Sequence, residues 1–176
     1  MALDIASTNP VVTAVIEGTA PRPAQVAASK GILPLPQADL LEILAAFATG
    51  TDEELRSNAL SSLRSQENSA IEELVRASAV APRVLAFYAG ESDLPQSLQE
   101  AILTNPRTPP PSIVQFAATT SNGSLLELIA INQQLLIKTP AILDAIIANP
   151  NRTPEAERRA AEVKREFFEK ERGAEQ

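Results

Sequence analysis

The chain contains no cysteine, no histidine and no tryptophan. Without cysteine there are no disulfides, no thiol catalysis and no thiolate metal sites. Without histidine the commonest general base and the commonest metal ligand are missing. Aromatics are few, five Phe and one Tyr. No apolar run approaches the length that spans a bilayer, which argues against a membrane partner. Basic residues are in deficit: the net charge is −7. Phosphate binding needs a basic footprint, so a nucleic-acid partner is not expected. The start, MALDIASTNP, has an acid where a secretory leader carries basic residues. The expectation is a cytoplasmic protein.

What is present is Ala, Leu, Ile and Val. These favour helix, or suit a core of closely packed helices. A chain of 176 residues is long enough for a real core. The fourteen prolines fall at segment borders, where they punctuate helices rather than break them.

Residues 1–9 read as loose. Pro10–Glu17 reads as a short helix with Asn9 as N-cap and Gly18 as its stop. Its Val and Ile also fit a strand. Pro23–Lys30 reads as a second short helix before Gly31, and ILPLP as extended. In Gln37–Thr49, Leu40, Leu41, Ile43, Leu44 and Phe47 form one broad apolar face. Thr51-Asp52-Glu53-Glu54 has the form of a capping box for a helix to about Arg64. Ser69-Ala70-Ile71-Glu72 has the same form. Further helices are expected from Pro82, from about Gln96, from Thr108-Pro109 and from Ser124 through Ile131 towards Ile137. Two more start at Thr139-Pro140 and Thr153-Pro154. Leu98, Ile102, Ile142 and Ile146 should be buried.

One phrase occurs twice. PQSLQEAILTNPRTP (95–109) returns as TPAILDAIIANPNRTP (139–154). Each is an amphipathic stretch, then Asn-Pro, then Thr-Pro. Two frames fit the repeat. Pro82, Pro111 and Pro140 are spaced by 29, each followed by a pair of aliphatics. Asn105-Pro106 and Asn149-Pro150 are spaced by 44, a frame that covers more of the chain. Either predicts an all-α chain without a β-sheet, of about 9–11 short helices. The domains expected are 1–36 as a tail with short capping helices, 37–154 as helical repeats and 155–176 as a charged C-terminal helix.

A repeat of this length with two or three helices resembles the HEAT and armadillo class of α-solenoids. AILTNPRTP and AIIANPNRTP also resemble the leucine-rich repeat variant family of bacterial helical repeats. The resemblance spans residues 37–160. It implies a right-handed α-solenoid with a binding or scaffolding role and no enzyme activity. Members of the variant family can hold a cysteine-bound iron–sulfur cluster. This chain has no cysteine, so no cofactor is carried over.

The residues offer little chemistry. Asp52-Glu53-Glu54 and Glu72-Glu73 sit at helix starts, where acids are favoured. A glycosidase pair would want a sugar cleft with aromatics. Ser and Thr have no base beside them, and there is no Gly-rich phosphate loop. Asn122-Gly123-Ser124 reads as a turn. No catalytic, cofactor or metal residues are assigned.

Two stretches read as surfaces for another protein. Between Thr108 and Asn151 only Glu127, Lys138 and Asp144 are charged. Either neighbouring helices cover that stretch, or Gln115, Thr119, Asn132, Gln133 and Gln134 line an uncharged contact face. Beyond it, Ala156, Ala160, Val163 and Phe167 step by 4, 3 and 4, a coiled-coil-like seam. That helix is either the cap of the stack or a device that pairs with another copy through Val163, Phe167 and Phe168. The expected function is a non-enzymatic interaction scaffold. The alternative is a homo-oligomerisation or adaptor domain of a larger protein, acting as a homodimer through the C-terminal helix.

Overall fold

The prolines sit where helices begin. In the computed structural model, which describes residues 4–169, five helices carry Pro in their first turn and three others start directly after one. There are twelve α-helices and no strand among the described residues. The first unit ends at Thr108 and the second begins at Pro109.

The first unit holds α1 (Pro10–Glu17), α2 (Arg22–Ser29), α3 (Gln37–Ala48), α4 (Glu53–Arg64), α5 (Asn68–Arg76), α6 (Pro82–Ala89) and α7 (Gln96–Thr104). α3 packs along α4, and α1 and α6 each pack on α3. α2 lies on α4, and α5 on α7. The core is aliphatic: Leu41, Ile43, Leu44, Leu63, Ile71 and Leu85 are almost wholly excluded from solvent. Tyr88 adds the one aromatic hydroxyl, donated to the Leu63 carbonyl at 2.8 Å. Burial raises the pKa of that phenol, with the charge of Glu91 adding to the effect.

The second unit holds α8 (Pro110–Thr119), α9 (Gly123–Ile131), α10 (Gln133–Lys138), α11 (Ala141–Ala148) and α12 (Pro154–Lys164). A π-helical turn, Arg165–Glu169, continues α12. α8 packs on α11, α9 on α12, and α11 also on α12. Leu125, Leu126, Leu136, Ile142 and Ile146 fill the centre. Leu98, Ile102, Ile142 and Ile146 are all buried, as their spacing requires.

The twelve described helices exceed the 9–11 expected, because one stretch read as a single helix is two, and several caps differ as well. α1 is a helix rather than a strand, capped by Asn9, whose side chain accepts from the Val11 N–H. Gly18 ends it at φ 81, a conformation that disfavours any side chain. Thr51 does not cap α4. Asp52 does, accepting from the Leu55 N–H while holding Arg22 at 2.6 Å. Ser69 does not open α5, which starts at Asn68 without a side-chain cap. Thr108 is buried and donates backwards to the Ile102 carbonyl at 2.6 Å, closing α7 instead of opening α8. Asn132 divides the stretch read as one helix: α9 stops at Ile131, and Asn132 caps α10 through the Leu135 N–H. Pro140, not Thr139, is the residue before α11. Thr153 caps α12 as expected, accepting from the Ala156 N–H.

The repeated phrase has one structural meaning in both copies. Asn105 follows α7 at φ −76, ψ 122, and Asn149 follows α11 at φ −73, ψ 121. The Asn105 amide donates to the Val75 carbonyl at 3.1 Å, at the end of α5, and its Oδ1 accepts the Arg107 N–H at 2.8 Å. The Asn149 amide donates to the Ala117 and Thr120 carbonyls at 2.8 and 2.9 Å, at the end of α8. Its Oδ1 accepts the Asn151 N–H at 2.8 Å. Each asparagine thus turns its own chain and bonds the end of the helix it packs on. Asn149 satisfies carbonyls that the end of α8 leaves open, and Asn105 adds a second donor to the Val75 carbonyl, which also accepts the Ser78 N–H at 3.0 Å.

Three acids carry a pH dependence: Asp52 and Glu155 at helix starts, and Glu72, which lies in the middle of α5 rather than at its start. The bond to Arg22, then the Leu55 N–H, holds the Asp52 carboxyl below its usual range. Ser97, then Arg76, do the same for Glu72, and Arg158, then Arg159, for Glu155. A carboxyl with a depressed folded pKa adds stability above its unfolded value and loses it as pH falls through the folded one. These contributions are intact at neutral pH and withdrawn below about pH 4. Because all three groups face solvent, the expected effect is a modest fall in Tm on acidification, weaker at high salt. A Tm that rises between pH 5 and pH 3 would contradict it.

Candidate interaction surfaces

The backbone of the second unit decides which of the expected contact residues meet. Asn149, just past α11, reaches the end of α8, so α8 and α11 run in the same direction. Gly123 opens α9 against Thr153, the N-cap of α12, so α9 and α12 also start together. The Thr153 hydroxyl donates to Glu127 at 2.7 Å across the same contact. The turn 149–153 sets α12 running back from α11, and Lys164 returns to within 3.7 Å of Asp144 in the first turn of α11.

Seven of the eight expected residues therefore fall into two groups at opposite ends. Gln115 and Thr119 are exposed on the last turns of α8, the Thr119 hydroxyl bonded to the Gln115 carbonyl. Asn132, Gln133 and Gln134 are exposed beyond α9, at the end where α12 finishes. Phe167 lies at that end too, 41% exposed, and Phe168 is half-buried. Val163 joins neither group. It is 2% exposed, in the core with Ala156 and Ala160. The seam read from the sequence is used inside the unit, because its small side chains let α12 approach α9 and α11 closely. Val163 is corrected from a contact residue to a core residue.

Ile131 was not singled out by its position in the sequence. It is 59% exposed beside Asn132. It falls one place past the Leu125, Leu126, Ile129, Ala130 face, so its exposure follows from the 3.6-residue period. Of the three charges in this stretch, the side chain of Glu127 is engaged by Thr153, and Asp144 lies near Lys164. Ile131–Gln134 and Phe167 present apolar and amide groups at this end, with exposed Lys138, Arg165 and Glu166 beside them.

Gly123 holds the geometry of the second unit. A methyl group there would lie 2.7 Å from the Thr153 Cγ2 and 2.8 Å from the Asn151 carbonyl oxygen. Helix propensity favours Ala over Gly by about 1 kcal/mol. Overpacking costs about 1–3 kcal/mol, and here one of the atoms struck is backbone. Gly123→Ala is expected to lower stability on urea unfolding despite its better propensity. A stabilised variant would show that α9 and α12 are not held this closely.

Two of the recesses of the first unit are lined by a paired or a buried acid. One, of about 410 Å³, is lined by Leu63, Arg64, Gln66, Tyr88, Glu91 and Asp93 among others, with Arg64 and Glu91 paired at 2.9 Å on its wall. The other, of about 120 Å³, lies beside residues 4–9. There Glu42, in the middle of α3, is 2% exposed. Its two oxygens accept the Ala6 N–H at 2.6 Å and the Ser7 N–H at 2.9 Å. The Ser7 hydroxyl donates to Asp39 at 2.7 Å and accepts the Asn9 N–H at 3.1 Å. Residues 4–9, read as loose, are thus anchored to α3. Glu42 stands between Leu41 and Ile43 in the sequence, and nothing local marks it as buried; the cover comes from 35 residues away.

Among the described residues no cluster of His, Cys, Asp or Glu could hold a metal ion, and no helix is long and apolar enough to cross a membrane. Comparison of the chain with protein-family models, with curated proteins and with solved structures finds no match.

Proposed function

We propose that this protein is a non-enzymatic scaffold for protein–protein contacts, built as an α-solenoid of stacked helical repeats. The observation that carries the reading is the paired asparagine device. Asn105 and Asn149 close their helices with the same backbone angles and tie them to an earlier helix by the same amide. A duplicated connection of this kind is what stacking one helical unit on the next requires. The contact face in this reading is the end of the second unit formed by Ile131, Asn132, Gln133, Gln134 and Phe167. Its five residues are uncharged, as interface cores are, and the charged Lys138, Arg165 and Glu166 form a rim beside them.

The test is partner capture in the cytoplasm with the intact chain and with Ile131→Glu/Gln134→Glu. The scaffold reading expects a protein retained by the intact chain and lost with the variant, while circular dichroism stays unchanged. Equal retention by both would move the contact elsewhere. Turnover of an ester, glycoside or phosphoester panel by the purified chain would replace the reading with an enzyme.

Self-association is the second reading, and the 41% exposure of Phe167 favours it. An exposed Phe ring gives up about 2 kcal/mol of burial. If the chain is a homodimer through this end, Phe167→Ser gives a monomer by mass in solution. An intact chain that is already a monomer removes the reading.

A further inference from the structure

The contact between residues 4–9 and α3 has an unusual division of labour. The buried acid is fixed on the rigid element, in the middle of α3. Its partners are main-chain N–H groups of an irregular segment. A carboxylate withdrawn from water demands donors, and two successive backbone N–H groups supply them. Every peptide carries such a pair. The one side chain read by hydrogen bonding is a hydroxyl, Ser7 on Asp39. Asp4, Ala6 and Thr8 are exposed, and Ile5 is the one large apolar side chain of the segment that packs on the core. The segment does not fill its seat. About 120 Å³ stays open beside Ala6 and Ser7, bounded by Ala38, Val80, Ala81 and Arg107.

We propose that residues 4–9 are a removable strap, occupying in cis a site on the first unit that takes an extended segment of another protein. The segment offers two successive N–H groups to Glu42 and a Ser or Thr hydroxyl to Asp39. The free volume accepts a side chain larger than the methyl of Ala6. The inference concerns a different surface from the contact face of the second unit, so either can fail without the other.

Opening residues 4–8 withdraws one apolar side chain and leaves Asn9 capping α1, so it needs far less than global unfolding. The bound and strapped forms compete, and an occupied site lowers the apparent affinity by the fraction that is strapped.

The experiment uses the full chain and a labelled peptide of residues 4–9, DIASTN, followed by fluorescence anisotropy. Ala6→Pro/Ser7→Pro removes both N–H donors from the strap, since proline has none. The peptide is expected to bind this variant at least about tenfold more tightly than the unaltered chain. Glu42→Gln in the same background should weaken binding at least about tenfold, by loss of the charge-assisted bonds. If Glu42→Gln does not fold, a peptide with Pro-Pro in place of Ala-Ser makes the same comparison and should not bind. Binding to neither chain, or equally to both, overturns the proposal. Amide exchange in the unaltered chain gives an independent reading. The Ala6 and Ser7 amides should exchange at least about tenfold faster than the Leu44 amide of α3. Exchange only at the global unfolding rate would make the segment a fixed part of the fold and end the proposal.

Discussion

Asn149→Ala is expected to cost about 2–3 kcal/mol, more than its counterpart Asn105→Ala at about 1–2 kcal/mol. The difference follows from what each side chain satisfies. Asn149 is 2% exposed and serves two carbonyls, those of Ala117 and Thr120. Ala117 is fully buried, so no water replaces the lost donor without opening the unit. Asn105 is 8% exposed and serves one carbonyl, that of Val75, at a longer 3.1 Å. Asn149→Asp sharpens the test. It keeps the acceptor for the Asn151 N–H but turns a donor into a negative oxygen facing two carbonyls, so it should cost at least as much as Ala. Urea unfolding of the three variants gives the order. If Asn149→Asp is tolerated while Asn149→Ala is not, the amide donor is not what holds α11 to α8.

The two asparagines also show where sequence reading reaches and where it stops. Asn-Pro was legible as a helix stop, because a residue before proline is pushed out of the helical region. Its second duty was not, because the carbonyls it serves lie about thirty residues upstream. The same boundary separates other residues. The burial of Leu98, Ile102 and Ile142 follows from a local period. The direction of the Thr108 hydroxyl depends on which helix end is left open, and the prolines that follow leave α8 fewer N–H groups to cap. The candidate surfaces split likewise. Gln115 and Asn132–Gln134 are exposed, as polar positions in a poorly charged stretch allow. Their separation to opposite ends depends on how α8, α9, α11 and α12 run. The pairing of Glu42 with residues 4–9 is non-local altogether, and a strap of small residues leaves no periodic trace.

Ile146→Asp is expected to have the largest effect of any single change, about 5 kcal/mol or more, by placing an unpaired acid in a dry core. Ile146 is fully excluded from solvent in α11, which packs on both α8 and α12. Two costs combine. Removing the aliphatic side chain alone costs about 2–5 kcal/mol, which Ile146→Ala measures. The acid adds its own desolvation, because α11 has no basic residue in its last turn. The excess of Asp over Ala should shrink at low pH, where the introduced acid takes up a proton and is buried neutral instead. The sign is that of a raised folded pKa on an acid: the penalty is full well above that value and relaxes as pH falls through it. Helical content and amide protection should be lost in α8, α11 and α12 together. A melt unchanged from the unaltered chain would mean that α11 is not the central helix of the second unit.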